Sequence, residues 1–263
     1  MSYIPFSSTT IDDPRERHVD TCCHALLVLL DYAVQPPDPS TFDGTANHPI
    51  SKSEKEKTNQ PTTTANNTAV PINQYHYHLR LIQKEEDFNV IYYGIERLLN
   101  NIPEAMNTYI PNSMKQIQSY QEILTLLWQC IDINAPFRSY IINQKSCEKL
   151  IMPCLYIMLE FRKLPAYSGL LHLCTFILLH LSGERNFGVL LNKPMLYSLP
   201  VTGGMPKMSS KDAPYGTHVD LCIITFHKMI VDGMVSLQSL YNCMLTVLSN
   251  MSPYIKTMSL ISR

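Results

Sequence analysis

Leu170, Leu171, Cys174, Ile177, Leu178 and Leu181 recur at helical spacing within the most apolar run of the chain, and Ser168, His172, Thr175 and Ser182 leave only a thin polar stripe beside them. A helix apolar on most of its sides is one that other elements surround. The run carries two histidines and falls short of the roughly 20 apolar residues that cross a bilayer. It therefore predicts a core helix, and a charged turn follows at once at Gly183-Glu184-Arg185.

The same 3.6-residue rhythm recurs along the chain. Val19, Cys22, Cys23, Leu26, Leu30 and Ala33 predict a first helix over 17–34, closed by Pro36, Pro37 and Pro39. From Gln35 to Asn73 the chain turns to Pro, Thr, Asn, Ser, Lys and Glu with almost nothing to bury, which predicts a disordered linker or long loop. Order resumes near Tyr75. Glu85, Glu86 and Asp87 then place negative charge at the start of a helix carrying Phe88, Ile91, Tyr92, Ile95, Leu98, Leu99 and Ile102, which Asn100, Asn101 and Pro103 are expected to stop. Pro111-Asn112-Ser113, with Gln116 completing a capping box, predicts the start of a long helix through Ile117, Tyr120, Leu124, Leu127 and Ile131, with Trp128 packed beside that face.

A short turn through Pro136 and Phe137 should lead to a helix with Cys147, Leu150, Ile151, Cys154, Met158 and Phe161, either beginning near Pro153 or kinked there. Beyond the central run, four prolines and three glycines between Lys193 and Gly216 predict a mobile loop. Thr217 and Asp220 form a capping-box variant ahead of Val219, Cys222, Ile223, Phe226 and Ile230, and Gly233 supplies a stop. Leu237, Leu240, Tyr241, Met244, Leu248 and Met251 predict one more helix, with another beginning after Pro253.

No stretch alternates with period two between hairpin turns, and nine glycines in 263 residues are few for an all-β chain. The fold class expected is all-α. The helices fall in successive pairs, 85–131, 146–183 and 217–251, which suits stacked antiparallel helix hairpins and a HEAT/armadillo-like α-solenoid segment. No fixed sequence period accompanies this, so the repeat expectation rests on helix pairing. The corresponding division is an N-terminal solenoid helix in 1–34, a linker in 35–73, and a helical-repeat segment in 74–263 with a mobile loop at 193–216.

Charge removes some functions. Lys and Arg number 21 against 22 Asp and Glu, a net charge of -1, so no long-range field gathers nucleic acid. Eight cysteines, at 22, 23, 130, 147, 154, 174, 222 and 243, lie mostly inside apolar helical patterns without a Cys-x-x-Cys pair. They read as buried free thiols in a reducing compartment. The first residues carry neither a basic n-region nor an apolar h-region, and the last carry no lipidation box, which points to a cytosolic chain.

Candidate chemistry is sparse. Gly183-Glu184-Arg185-Asn186-Phe187-Gly188 has the glycine spacing of a phosphate loop, but Val189 and Leu190 stand where Lys and Ser/Thr must reach phosphate and magnesium. Ser182 to Gly188 reads instead as a constrained turn able to serve as a recognition surface, with Glu184 and Arg185 paired or solvated and Phe187 tucked back. His76 with His78, Cys22 with Cys23 and His24, and His172 with Cys174 are local clusters that complete no four-ligand set. His172 and His180 are eight residues apart, about 12 Å along a helix, too far to share one ion. No local signature marks a serine or cysteine nucleophile. Neither cofactor nor metal is expected.

Several blocks together resemble the high-temperature-induced dauer-formation protein family, of which dymeclin is a more distant relative. They are Glu85-Glu86-Asp87-Phe88, Tyr109 to Ser113, Gln121 to Leu124, Leu181 to Gly188 with Leu191-Asn192-Lys193-Pro194, Gly216 to Leu221 with Phe226-His227-Lys228, and Ser252-Pro253-Tyr254. The block over 181–194 is the most specific. The resemblance implies a non-enzymatic helical-repeat protein, cytoplasmic and peripheral on Golgi and trans-Golgi network membranes, that helps sort cargo such as neuropeptides into dense-core vesicles. Its partners would be other proteins of the secretory trafficking machinery. Members are longer on both sides, so the chain is expected to be an interior piece, and Ser2 replaces the glycine that members myristoylate. The resemblance supplies no catalytic residues. The rival expectation is a hydrolase or transferase whose active-site residues are dispersed along the sequence, and a third is a structural fragment without independent activity.

Overall fold

The computed structural model describes residues 14–32, 73–106, 119–144, 147–195, 216–256 and 258. Among them are ten α-helices and no strand, so the all-α expectation holds. α1 spans Pro14–Asp31, α2 Gln74–Leu81, α3 Glu85–Met106, α4 Tyr120–Ile133 and α5 Ala135–Asn143. α6 spans Glu148–Phe161, α7 Ser168–Ser182, α8 Asn186–Leu190, α9 His218–Asp232 and α10 Tyr241–Met251.

The helices pack in two layers. α3, α6 and α9 lie successively against one another in the first, and α1, α4, α7 and α10 in the second. Across the layers α3 meets α4, α6 meets α7 and α9 meets α10. These are the three pairs that the periodicity isolates. α2 rests on α1 and α4, α5 on α3 and α4, and α8 on α5, α7 and α10.

The centre of the core is α6 with α7. Every residue from Leu150 to Leu159 is buried, because α3 and α9 flank α6 within its layer and α7 covers it from the other. α7 is the apolar run singled out above. With the preceding turn it forms a segment, Pro165–Ser182, long and apolar enough to cross a membrane by length and composition. It packs instead against α4, α6 and α10, burying Leu170, Leu171, Cys174, Ile177, Leu178 and Leu181. Each such side chain contributes about 1.5–3 kcal/mol relative to exposure.

Several boundaries differ from the sequence reading, each for a local reason. Pro136 does not mark a turn. It occupies the first turn of α5, where a missing N–H costs nothing, and the Asn134 side chain caps that helix by accepting from the Phe137 N–H at 2.8 Å. α3 is not stopped by Asn100, Asn101 and Pro103 but runs on to Met106. α6 begins at Glu148 and holds Pro153 inside it, so the helix does not begin near that proline. Pro153 leaves the Lys149 carbonyl without its helical donor, and Asn100 Nδ2 of α3 donates to that oxygen at 3.2 Å. The segment after Gly233 opens as a 3-10 turn, Val235–Leu240, before α10, and Ser252–Tyr254 is a second 3-10 turn followed by extended Ile255, not the start of another helix. The capping box at Ser113 and Gln116 lies outside the described residues, as do residues 35–72 of the linker expected over 35–73 and 196–215 of the loop expected over 193–216, whereas Asn73 caps α2 and Lys193, Met195 and Gly216 are held by backbone hydrogen bonds.

Asparagines tie helix ends together. Asn73 caps α2 and donates to the Leu29, Leu30 and Tyr32 carbonyls at the end of α1. Asn134 caps α5 while donating to Leu79 and Ile82 at the end of α2, both at 2.9 Å. One amide side chain thereby satisfies the orphan donors of one helix start and the orphan carbonyls of another end.

Candidate functional site

The turn from Ser182 to Gly188 joins α7 to the short α8, and each of its residues has a traceable place. Ser182 is buried, donating to the Leu179 carbonyl at 2.8 Å and accepting from Asn250 Nδ2 of α10 at 3.0 Å. Gly183 ends α7 with its N–H on the His180 and Leu181 carbonyls. Its backbone is ordinary right-handed, φ -67, so no positive φ selects glycine there. Glu184 reaches across to α5, where Oε1 accepts from Arg138 Nε at 2.9 Å and Oε2 from Ser139 Oγ at 3.3 Å. Arg185 and Asn186 are exposed, and Asn186 approaches Asn143 of α5 at 3.5 Å. Phe187 is buried, with 1% of its surface exposed.

Gly188 answers a different need from a phosphate loop. A Cβ there would stand 3.0 Å from Tyr254 Cβ and Cδ2 and 3.2 Å from the Met251 carbonyl oxygen. The glycine gives room for the close approach of the C-terminal 3-10 turn. Asn192 reinforces that approach, donating to the Gly188 and Tyr254 carbonyls at 2.8 and 2.9 Å and accepting from the Lys256 N–H at 2.9 Å.

The start of α9 joins the same cluster. Thr217 and Asp220 form the expected reciprocal capping box. The His218 N–H and Nδ1–H both donate to the Lys193 carbonyl, at 3.3 and 2.9 Å, and the Val219 N–H donates to Leu191 at 3.0 Å. Burial pushes the His218 ring below the ordinary histidine range, partly opposed by the carbonyl it donates to. Three of the blocks singled out in the sequence, around 181–194, 216–221 and 252–254, therefore meet in space.

On the outer side of the turn lies a depression of about 320 Å³ lined by Arg138, Leu179, His180, Gly183 and Glu184. His180 Nε2 stands 3.5 Å from Asp132 Oδ1 at its edge. Arg138, about a quarter exposed, also donates to the Ile131 carbonyl at the end of α4, at 3.4 Å. The depression thus sits where the ends of α4 and α7 meet the side of α5. Arg138 and Asp132 escaped the sequence reading because they are far from the turn along the chain, and Arg138 also belongs to a helix that Pro136 disguised.

The other groups flagged by spacing stay apart. Among the described residues no three His, Cys, Asp or Glu side chains are placed to hold a metal ion. His76 and His78 are exposed on α2, and His172 turns to the Ser168 carbonyl and Ser239 while Cys174 is buried. All eight cysteines are free, and five are buried. Burial pushes the Cys130, Cys147 and Cys222 thiols up to about 12, leaving essentially no thiolate for nucleophilic chemistry at neutral pH. At the depression, the Ser139 hydroxyl is engaged by Glu184 and not by His180.

Comparison with known proteins decides the family. The model of the dymeclin family, described as Dyggve-Melchior-Clausen syndrome protein, matches residues 1–262. The chain belongs to the dymeclin family. This dymeclin-family chain is similar to Protein HID1 of Mus musculus, with 38% identity over 262 residues, which is 98% of the chain and 30% of the mouse protein. It is 32% identical over 190 residues to Protein HID1 of Dictyostelium discoideum, covering 72% of the chain and 20% of that protein. It is also 26% identical over 190 residues to the Ubp5-interacting protein ftp105 of Schizosaccharomyces pombe, again 72% of the chain and 20% of the relative. The chain therefore spans less than a third of the length of these relatives. No solved structure matches it.

Proposed function

We propose that this dymeclin-family chain is a non-enzymatic scaffold of the secretory pathway, acting on the cytoplasmic face of Golgi and trans-Golgi network membranes in sorting cargo such as neuropeptides into dense-core vesicles. The observation that carries the reading is the turn 182–188. Its flanks are held by Glu184 on Arg138 and Ser139, by Ser182 under Asn250 and by Phe187 in the core, while Arg185 and Asn186 face outward beside a polar depression. A surface fixed in this way binds with little ordering cost, the requirement for a recognition site. Two-layer stacking of helix pairs supports a HEAT/armadillo-like solenoid, an architecture that works by presenting surfaces. The fission-yeast relative is itself named for an interaction with another protein, which accords with a protein partner here.

Proximity labelling in secretory cells tests the proposal, comparing the chain with an Arg185→Glu/Asn186→Ala variant. Golgi trafficking proteins should be enriched around the unaltered chain and lose that enrichment with the variant. Mitochondrial or nuclear neighbours would overturn the assignment of compartment. Equal enrichment by the variant would overturn the role of the turn.

A further inference from the structure

Around the depression beside the turn, the hydrogen-bond acceptors are engaged and the donors are not. Glu184 accepts from Arg138 Nε at 2.9 Å on Oε1 and from Ser139 Oγ at 3.3 Å on Oε2. The Ile131 carbonyl at the end of α4 accepts from Arg138 Nη1, and at the end of α7 the His180 and Leu181 carbonyls accept from the N–H groups of Gly183 and Glu184. Asp132, on the rim, faces His180 Nε2 at 3.5 Å. A guanidinium carries five N–H donors. Arg138 uses Nε–H and an N–H of Nη1, and among the described residues Nη2 has no acceptor. Arg185, next to Glu184 in the chain, is exposed and likewise without a partner among those residues.

A group that enters such a site must accept hydrogen bonds. The depression holds about 320 Å³, at the lower limit of ligand sites, which suits a side chain and not a cofactor. A cationic side chain would meet Arg138, which already covers the end of α4, and an apolar one would find only Leu179. A neutral carbonyl could accept from Nη2, but a carboxylate makes charge-assisted bonds to a guanidinium that are roughly twice as strong. Glu184 and the Ile131 carbonyl hold the Arg138 plane in place before any ligand arrives, which lowers the ordering cost of binding. The chain's net charge of -1 supplies no long-range attraction, so recognition rests on these contacts.

We propose that the depression binds an acidic segment of a partner protein, one Glu or Asp carboxylate taking Arg138 Nη2 while a neighbouring acid reaches Arg185. The assignment rests on the reading of the turn as a recognition surface and adds the chemistry of what it recognises. Glu184 is then the internal competitor, since it shares the Arg138 guanidinium with the incoming acid.

Fluorescence anisotropy of a labelled Glu-Gly repeat peptide, titrated with the whole chain, should show saturable binding that salt weakens and that a Gln-Gly repeat lacks. Arg138→Gln should weaken it by about tenfold or more, the equivalent of 1.4 kcal/mol. Glu184→Gln should tighten it several-fold by removing the competing carboxylate. Both variants break the same internal ion pair, so a loosened turn would move them in one direction, and only a ligand on Arg138 moves them in opposite ones. Weaker binding by both would overturn the proposal. So would equal binding of the Gln-Gly repeat, preference for a Lys-Gly repeat, or Arg138-dependent capture of phosphoinositide vesicles without peptide binding. If any of these is seen while Arg185→Glu/Asn186→Ala still removes the Golgi neighbours, the acidic ligand is overturned and the recognition role of the turn is kept. Peptide binding with the expected signs but no Golgi enrichment supports the acidic ligand and overturns the compartment.

Discussion

Gly188 and His218 show how single residues set the tolerance of the cluster around the turn. Adding one carbon at Gly188 brings it to 3.0 Å from two atoms of Tyr254 and 3.2 Å from a backbone oxygen. Gly188→Ala should lower unfolding free energy by about 1–3 kcal/mol, read from urea titration, and Tyr254→Ala in the same chain should recover part of the loss. His218 makes a pH prediction whose sign follows from its burial. Its native pKa lies below the usual value of about 6.5, so the unfolded chain binds more protons between those two values. Stability rises with pH through that window and falls as pH drops below about 6.5. His218→Gln should flatten the fall in melting temperature between neutral and mildly acidic buffer. The glycine was visible in the sequence, but its reason was not. Spacing shows that residue 188 is Gly, whereas Tyr254 comes near it only through tertiary packing.

Helices carry the part of the fold that was most legible. α7, α9 and the start of α3 were readable because apolar periodicity, a capping box and an acidic first turn are local physics. Proline misled at Pro103 and Pro136 and left two readings open at Pro153, since the sequence does not say whether a proline falls in a first turn, as Pro136 does, or has its orphaned carbonyl met from elsewhere, as Pro153 does. The second case is testable by a double-mutant cycle. Asn100→Ala should cost about 0.5–1.5 kcal/mol by removing the hydrogen bond to the Lys149 carbonyl. Pro153→Ala restores the helical N–H, so the asparagine substitution should cost less in that background, and the difference between the two costs is the coupling. Asn134 offers a larger effect, because its amide serves the start of α5 and the end of α2 together. Asn134→Ala should destabilise by about 2–4 kcal/mol in chemical denaturation, combining a lost cap with two stranded carbonyls.

At the scale of the molecule, layer packing sorts the thiols into two populations. Cys130, Cys147, Cys154, Cys174 and Cys222 are enclosed by the two layers, while Cys22 is exposed and Cys23 and Cys243 are half-buried. An aromatic disulfide reagent should label Cys22 fastest under native conditions and reach the five enclosed thiols only after unfolding, as peptide mass mapping would record. Helix pairing was legible at this scale from the sequence, whereas the depression at Arg138 and His180 was not, because it forms where three helices meet and no local pattern encodes their meeting. The contacts that bracket residues 196–215 carry one more consequence. The Met195 N–H donates to the Gly216 carbonyl at 2.9 Å, Pro194 bridges Thr217, and Gly216 takes the positive φ of 91 where the chain enters α9. The two ends of that segment are buckled together independently of what lies between them, and lengthening a closed loop costs only logarithmically. An epitope or fluorescent module spliced between them should ride on the helical stack like luggage on a closed strap, adding mass without loosening α8 or α9.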